Sequence, residues 1–153
     1  GHLNDYLRAT LAATRRERST LADEFALLRG YLEVQAMRMG ERLRYRLELP
    51  EPLAQAGLPP MLLQPLVENA LKHGLEPRIE GGEVRVTASE RDGKLVIEVV
   101  DTGFGVNGKA TAGTGVGLAN VRERLAAAYE GKADMRAAGT PAGGYAVTLR
   151  IPR

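Results

Sequence analysis

The chain has no cysteine and no tryptophan, and only two phenylalanines and two histidines. Without cysteine, neither a disulfide framework nor a thiolate zinc site can form. Its 153 residues are held by packing alone, and a domain of that length buries roughly 68–70% of the surface its unfolded chain exposes. No apolar run approaches the roughly 18 residues of a membrane span, and Gly1 to Asp5 do not set a basic stretch before an apolar one. Charge of one sign is scarce too. The 21 Lys and Arg against 19 Asp and Glu leave a net charge of +2, too small and too dispersed to point to a nucleic-acid partner despite a pI of 9.1. Glycine, by contrast, is in excess: there are 18, where a typical ~7% gives about 11. Gly103, Gly105, Gly108, Gly113, Gly115 and Gly117 crowd into one short stretch, and function is to be sought there.

Hydrophobic spacing orders the rest. Leu3, Leu7 and Leu11, with Tyr6 beside them, predict a short amphipathic helix over 3–14, interrupted by the polar stretch Arg15 to Ser19. Thr20, three residues before Asp23, is placed as a helix N-cap, and Leu21, Phe25, Leu28, Leu32 and Met39 form the stripe of a longer helix ending at Gly40. Residues 42–49 alternate and meet Pro50, which predicts a strand with one wet face. Pro59 and Pro60 predict a helix start, with Leu62, Leu63, Leu66, Val67, Ala70 and Leu71 on its apolar side and Gly74 as its C-cap. Strands over 83–90 and 95–100 are joined by Arg91-Asp92-Gly93, a hairpin by its chemistry. Residues 102–114 read as a polar, glycine-rich loop, followed by a helix over about 116–129 and strands at 134–138 and 144–151. Strands that follow one another through hairpin chemistry predict an α+β fold: two layers, with a mixed, mostly antiparallel sheet and helices on one face, preceded by a short N-terminal helix.

Two familiar glycine motifs fail on context. Gly103, Gly105 and Gly108 spell G-x-G-x-x-G after a strand, but a dinucleotide fingerprint needs a helix opening at the glycines and an acidic residue about 20 positions on at the end of a second strand. The stretch 106–112 does not read as a helix, and 121–128 does. Gly103 to Lys109 also approaches a phosphate loop, yet Ala110 stands where a hydroxyl must hold magnesium.

A third division fits better. Asp101-Thr102-Gly103-Phe104-Gly105 and Gly113-Thr114-Gly115-Val116-Gly117-Leu118 are two clusters with a lid between them. An Asp at a strand end can accept from an exocyclic amine such as adenine N6, and bare backbone after it lets a flat base approach. The second cluster runs into a helix, whose amides and dipole suit an anion. On the helix opened by Pro60, Glu68, Asn69, Lys72 and His73 share adjoining edges of one face. An amide oxygen suits magnesium and a lysine suits phosphate. The alternative for these four is a solvated face carrying a Glu68–Lys72 pair; the two glycine clusters downstream argue against it. Base at one end and phosphates at the other describe ATP.

Glu68-Asn69-Ala70-Leu71-Lys72-His73-Gly74, Asp101-x-Gly103-x-Gly105 and Gly113-Thr114-Gly115-Val116-Gly117-Leu118 resemble the asparagine box and the two glycine boxes of the histidine-kinase ATPase domain, the Bergerat fold. Tyr31-Leu32-Glu33-Val34-Gln35 with Arg38, the run Leu58 to Asn69, and Leu118-Ala119-Asn120-Val121-Arg122-Glu123-Arg124-Leu125 are similar to the LytS/YehU type of sensor kinase, and the match covers nearly the whole chain. The resemblance implies that residues 1–18 end the dimerisation and phosphoacceptor helix region and that 19–153 form the catalytic domain. It implies ATP and Mg2+ as cofactors. Asn69 is expected to ligate magnesium, Lys72 and His73 to contact phosphates or the lid, and Glu68 to act as general base or magnesium-shell carboxylate. Asp101 is expected to take adenine N6, with Gly103, Gly105, Gly113, Thr114, Gly115, Val116, Gly117 and Leu118 shaping the pocket.

The same resemblance implies a parent that is a homodimeric two-component kinase passing phosphate to a response regulator receiver domain, with this domain on the cytoplasmic side of an inner-membrane sensor. The departures matter. Neither His2 nor His73 has the context of the family's acceptor histidine, so the fragment is expected to bind ATP without phosphorylating itself. Tyr145 replaces a usual Thr and Thr102 a common Asn, and the lid's usual aromatic box is not recognisable in 106–112. A non-enzymatic ATP-binding sensor or scaffold is the alternative function. A serine kinase of the anti-sigma type on the same fold leaves Leu3 to Thr14 and the text around Tyr31 unexplained.

Overall fold

The computed structural model describes residues 1–14, 18–103 and 109–153. Helix α1 spans His2–Thr14 and helix α2 Leu21–Met39. Thr20 caps α2 as its spacing predicts: in extended conformation, its Oγ1 accepts from the Asp23 N–H at 3.1 Å. The residues before and after are tied down by a small element that periodicity cannot announce. Strand β1, Ser19–Thr20, pairs antiparallel with β3, Gly57–Leu58.

The main sheet has five strands in the order β2-β4-β5-β7-β6: Leu43–Glu48, Gly82–Arg91, Lys94–Asp101, Tyr145–Pro152 and Asp134–Gly139. Among the described residues only β2 and β4 run parallel, and every other pairing is antiparallel. The predicted hairpin is present, with Asp92 and Gly93 both at positive φ (52° and 75°), the backbone of the primed turns whose twist suits a hairpin. Alternation is strict on both of its strands. Val84, Val86 and Ala88 on β4, and Leu95, Ile97 and Val99 on β5, point into the core beneath the helices, while Arg85, Thr87 and Glu98 stay on the other face. The α+β two-layer architecture follows, with α2, α3 (Gln64–Asn69) and α4 (Lys109–Tyr129) covering one side of the sheet.

Three helix boundaries differ from the sequence expectation, one of them at Gly74, expected as a C-cap but inside a π-helical turn over Ala70–Leu75 that Glu76 caps. Helix α3, Gln64–Asn69, opens at Gln64-Pro65 and not at Pro59-Pro60. Proline favours the first turn of a helix at Pro60 and at Pro65 alike; what stops a helix from running on from Pro60 is Met61, which takes a left-handed φ of 59°. The carbonyls of Pro60 and Met61 are taken instead by the guanidinium of Arg124. Helix α4, Lys109–Tyr129, begins well before 116, so Lys109 to Thr114, expected in the loop, are helical. Once residues 116–129 are helical, each added residue gains a hydrogen bond without a new nucleation step. Lys109, Ala110 and Ala112 are good helix formers, which offsets the roughly 1 kcal/mol cost of a helical glycine. Residues 104–108, which include Gly105, Gly108 and half of the proposed lid, lie outside the described residues.

Candidate nucleotide site

Helix α3 continues into a π-helical turn, Ala70–Leu75. Such wide turns are uncommon and recur at functional sites. Leu66, Val67, Ala70, Leu71 and Leu75 face the core, which turns Glu68, Asn69, Lys72 and His73 outward, as the sequence spacing requires. Asn69 is half-buried, and its Oδ1 lies 3.8 Å from where a Cβ on Gly117 would stand. The asparagine box and the second glycine cluster therefore meet, α3 against the body of α4. Gly113, Thr114, Gly115, Val116, Gly117 and Leu118 all belong to α4. Most of their amides are therefore engaged within the helix, contrary to the expectation of a helix N-terminus placed at that cluster.

Partial desolvation raises the Glu68 pKa. That of His73 is lowered, chiefly by burial and then by the neighbouring Lys72 ammonium, against an opposing pull from Glu76. At neutral pH His73 is therefore a neutral imidazole. Among the described residues Lys72 makes no ion pair, so the Glu68–Lys72 pair of the solvated-face reading does not form.

Asp101 ends β5. It occupies the inward position that Leu95, Ile97 and Val99 hold earlier in the strand, and only 5% of it is exposed. A carboxylate at the end of an apolar row is costly, and burial pushes its pKa up to about 6 even though the Gly103 N–H donates to Oδ1 at 2.8 Å and opposes the shift. Two glycines press against it, and a third packs on one of them. A Cβ on Gly74 would stand 2.6 Å from Asp101 Oδ1, one on Gly103 would stand 2.0 Å from the Gly74 carbonyl oxygen, and one on Gly144 would stand 1.9 Å from the Asp101 carbonyl oxygen. The asparagine box and the first glycine cluster are thus in backbone contact. Tyr145 is paired directly with Asp101 across β5 and β7, and it too is buried.

Sequence reasoning missed the arginines that hold this corner. Arg42 donates to the carbonyls of Glu76, Arg78 and Ile79 at 2.9, 2.7 and 3.0 Å, fixing the chain that leaves the π turn. Arg78 in turn donates to the Thr102 carbonyl at 3.2 Å, and Thr102 Oγ1 accepts from the Glu83 N–H at 3.0 Å. These are contacts between residues 24 or more apart in several cases, and nothing local in the sequence marks them.

Residues 59–153 match the family described as histidine kinase-, DNA gyrase B-, and HSP90-like ATPase. The chain belongs to that family. Residues 1–43 match a second family, histidine kinase, and together the two matches mark the chain as an ATP-binding catalytic domain of the sensor kinase type. The chain is 32% identical to the sensor histidine kinase YesM of Bacillus subtilis over 87% of its own length, and 30% identical to the sensor protein LytS of Enterococcus faecalis over 98%. It spans only about a quarter of each, 24% and 27%. Among solved structures, the catalytic domain of histidine kinase ThkA superposes with a TM-score of 0.67 at 16% identity, covering 88% of this chain and 93% of that one. That likeness establishes the fold.

Proposed function

We propose that the ATPase domain binds magnesium ATP and passes its γ-phosphoryl group to a histidine on the acceptor helices of its parent protein, for relay to the aspartate of a response regulator. One observation carries the reading: Asp101, a buried carboxylate with Gly103 as its hydrogen-bond donor, set among glycines that leave bare backbone around it. Oδ2 takes no donor from the described residues, and an adenine amino group supplies the donor that this position lacks. Asn69 would hold magnesium through its amide oxygen, and the ion would supply positive charge to offset that of the phosphates. Lys72 gives the phosphates a point charge, and the neutral His73 can donate a hydrogen bond to them. Glu68, with its raised pKa, accepts the proton that the acceptor imidazole loses as its nitrogen bonds to phosphorus and the bond to ADP breaks. Residues 1–18 are the end of the acceptor and dimerisation region of a homodimeric, membrane-anchored parent, and 19–153 the catalytic domain on its cytoplasmic side. No helix among the described residues is long and apolar enough to cross a membrane.

Mixing the chain with a separate acceptor-helix fragment and γ-labelled ATP is expected to give acid-labile, base-stable label on the fragment and none on the chain itself. Tight ATP binding without transfer would favour a scaffold; label on the isolated chain would overturn the incomplete-kinase reading. Asn69→Ala is expected to keep the fold, since the side chain is outside the core, and to abolish the part of the ATP affinity that depends on magnesium, read by titration calorimetry with magnesium and with chelator. If magnesium still strengthens binding fully in the variant, the ligand lies elsewhere.

A further inference from the structure

Helix α1 shows two unlike faces. Leu3, Leu7 and Leu11 are 53%, 49% and 61% exposed, whereas Tyr6 is turned the other way, into a seat between α2 and α3. Its ring lies 6.0 Å from that of Tyr31 at 51°, and its Cδ1 is 3.3 Å from where a Cβ on Gly30 would stand, so Gly30 is what lets the ring in. Its hydroxyl accepts from Gln64 Nε2 at 2.7 Å. A second tie joins the helix start to α2, from His2 Nδ1 to Glu33 at 2.9 Å.

Gln64 is the first residue of α3 and only 4% exposed; among the described residues its Oε1 is buried with no partner and the bond to Tyr6 is the side chain's one hydrogen bond. Glu68 sits four residues further on, one turn along the same face, and Asn69 is next to it. The Glu68 carboxylate reaches both aromatic hydroxyls electrostatically: it adds to the burial that raises Tyr6 and Tyr31 above the usual tyrosine range. Tyr6, Tyr31, Gln64 and Glu68 thus form one polar seam. It joins the N-terminal helix to the turn of α3 that bears the outward-facing site residues.

We propose that Tyr6 is a positioning residue that, through its hydrogen bond to Gln64, fixes the turn of α3 carrying Glu68 and Asn69, so that the seating of α1 sets how well the site holds magnesium ATP. The proposal rests on the nucleotide reading of Asn69. It makes α1 a coupling element, gripping the ATPase domain by Tyr6 while its leucine face stays exposed. A displacement of α1 would then be felt at Glu68 and Asn69 by way of one buried amide.

Two variants of the whole chain separate the outcomes. Tyr6→Ala is expected to raise amide hydrogen exchange across His2–Thr14 and across Gln64–Asn69, and to weaken magnesium ATP about fivefold, the worth of one net hydrogen bond, with affinity in chelator unchanged. Tyr6→Phe keeps the ring against Gly30 and Tyr31 but loses the acceptor; it is expected to leave exchange in α1 near the parent's while reproducing the loss at Gln64–Asn69 and the weaker magnesium ATP binding. Unchanged exchange over Gln64–Asn69 in both variants overturns the proposal, and so does parental magnesium ATP affinity in a Tyr6→Ala chain whose α1 has come free. If the parent chain itself binds no ATP, the nucleotide reading falls, and the exchange of Gln64–Asn69, measured without nucleotide, still decides whether Tyr6 fixes that turn.

Discussion

Gly103→Ala is expected to lower ATP affinity by at least about a hundredfold, roughly 2.7 kcal/mol or more, and to destabilise the domain by about 1–3 kcal/mol. The added Cβ would stand 2.0 Å from the carbonyl oxygen, 2.4 Å from the carbonyl carbon and 2.4 Å from the Cα of Gly74. All three are backbone atoms, so no rotamer change relieves the clash. Gly74 lies inside the π turn that follows Asn69, with core residues Leu71 and Leu75 on the same turn. The cheaper response is for the Asp101-Thr102-Gly103 segment to move away. That removes the Gly103 N–H from Asp101 Oδ1, a bond of 2.8 Å, and separates the two boxes that meet at this point. Calorimetric titration with ATP and chemical denaturation read the two effects separately. Affinity within threefold of the parent would mean that this backbone contact is not part of the binding surface.

The strands over 83–90 and 95–100 were legible in the sequence, because a period of two is a local property that burial on one side enforces, here on Val84, Val86, Ile97 and Val99. Thr20 with Asp23 and Asp92 with Gly93 were legible for the same reason: a cap and a turn each close within three or four residues. The boundaries that could not be read depend on partners distant in the chain. Whether Pro60 or Pro65 opens α3 turns on Met61 and on Arg124, which comes from another helix to take the carbonyls of residues 60 and 61. Where α4 begins is a balance between propagation from 116–129 and the cost of Gly113 and Gly115, which composition alone does not settle. Of the site, residue type and spacing single out Asn69 and Asp101 as candidates. That Gly74 and Gly144 press on Asp101 while Gly103 packs on Gly74 is a fact of tertiary approach, and the sequence shows only that glycine stands there.

Asp101→Asn is expected to weaken ATP tenfold to a hundredfold, since a hydrogen bond to a charged acceptor contributes roughly 1.5–3 kcal/mol, while the empty domain becomes less sensitive to pH. The sign follows from the direction in which the pKa moves. The carboxyl's pKa lies near 6 in the fold against 3.8 ordinarily, with burial as the dominant cause. Between those values the folded state holds a proton that the unfolded state has lost, so stability falls as pH rises through the window and levels off above about 6. Asparagine does not titrate. The stability of the variant relative to the parent should therefore climb from pH 4 to pH 6 by at most about 3 kcal/mol, at roughly 1.4 kcal/mol for each step of one in pH across that window, whatever constant offset its own amide adds. ATP binding by the parent should weaken as pH falls below about 6, because the charged acceptor is lost; the variant should show no such step. Denaturation curves and ATP titrations at matched pH test both halves. A flat stability difference would show that Asp101 ionises as freely as an exposed carboxyl, and an unchanged ATP affinity would remove it from the adenine site. If both behave as expected, the fold bears the cost of one buried carboxylate at the position where a base's amino group can meet it.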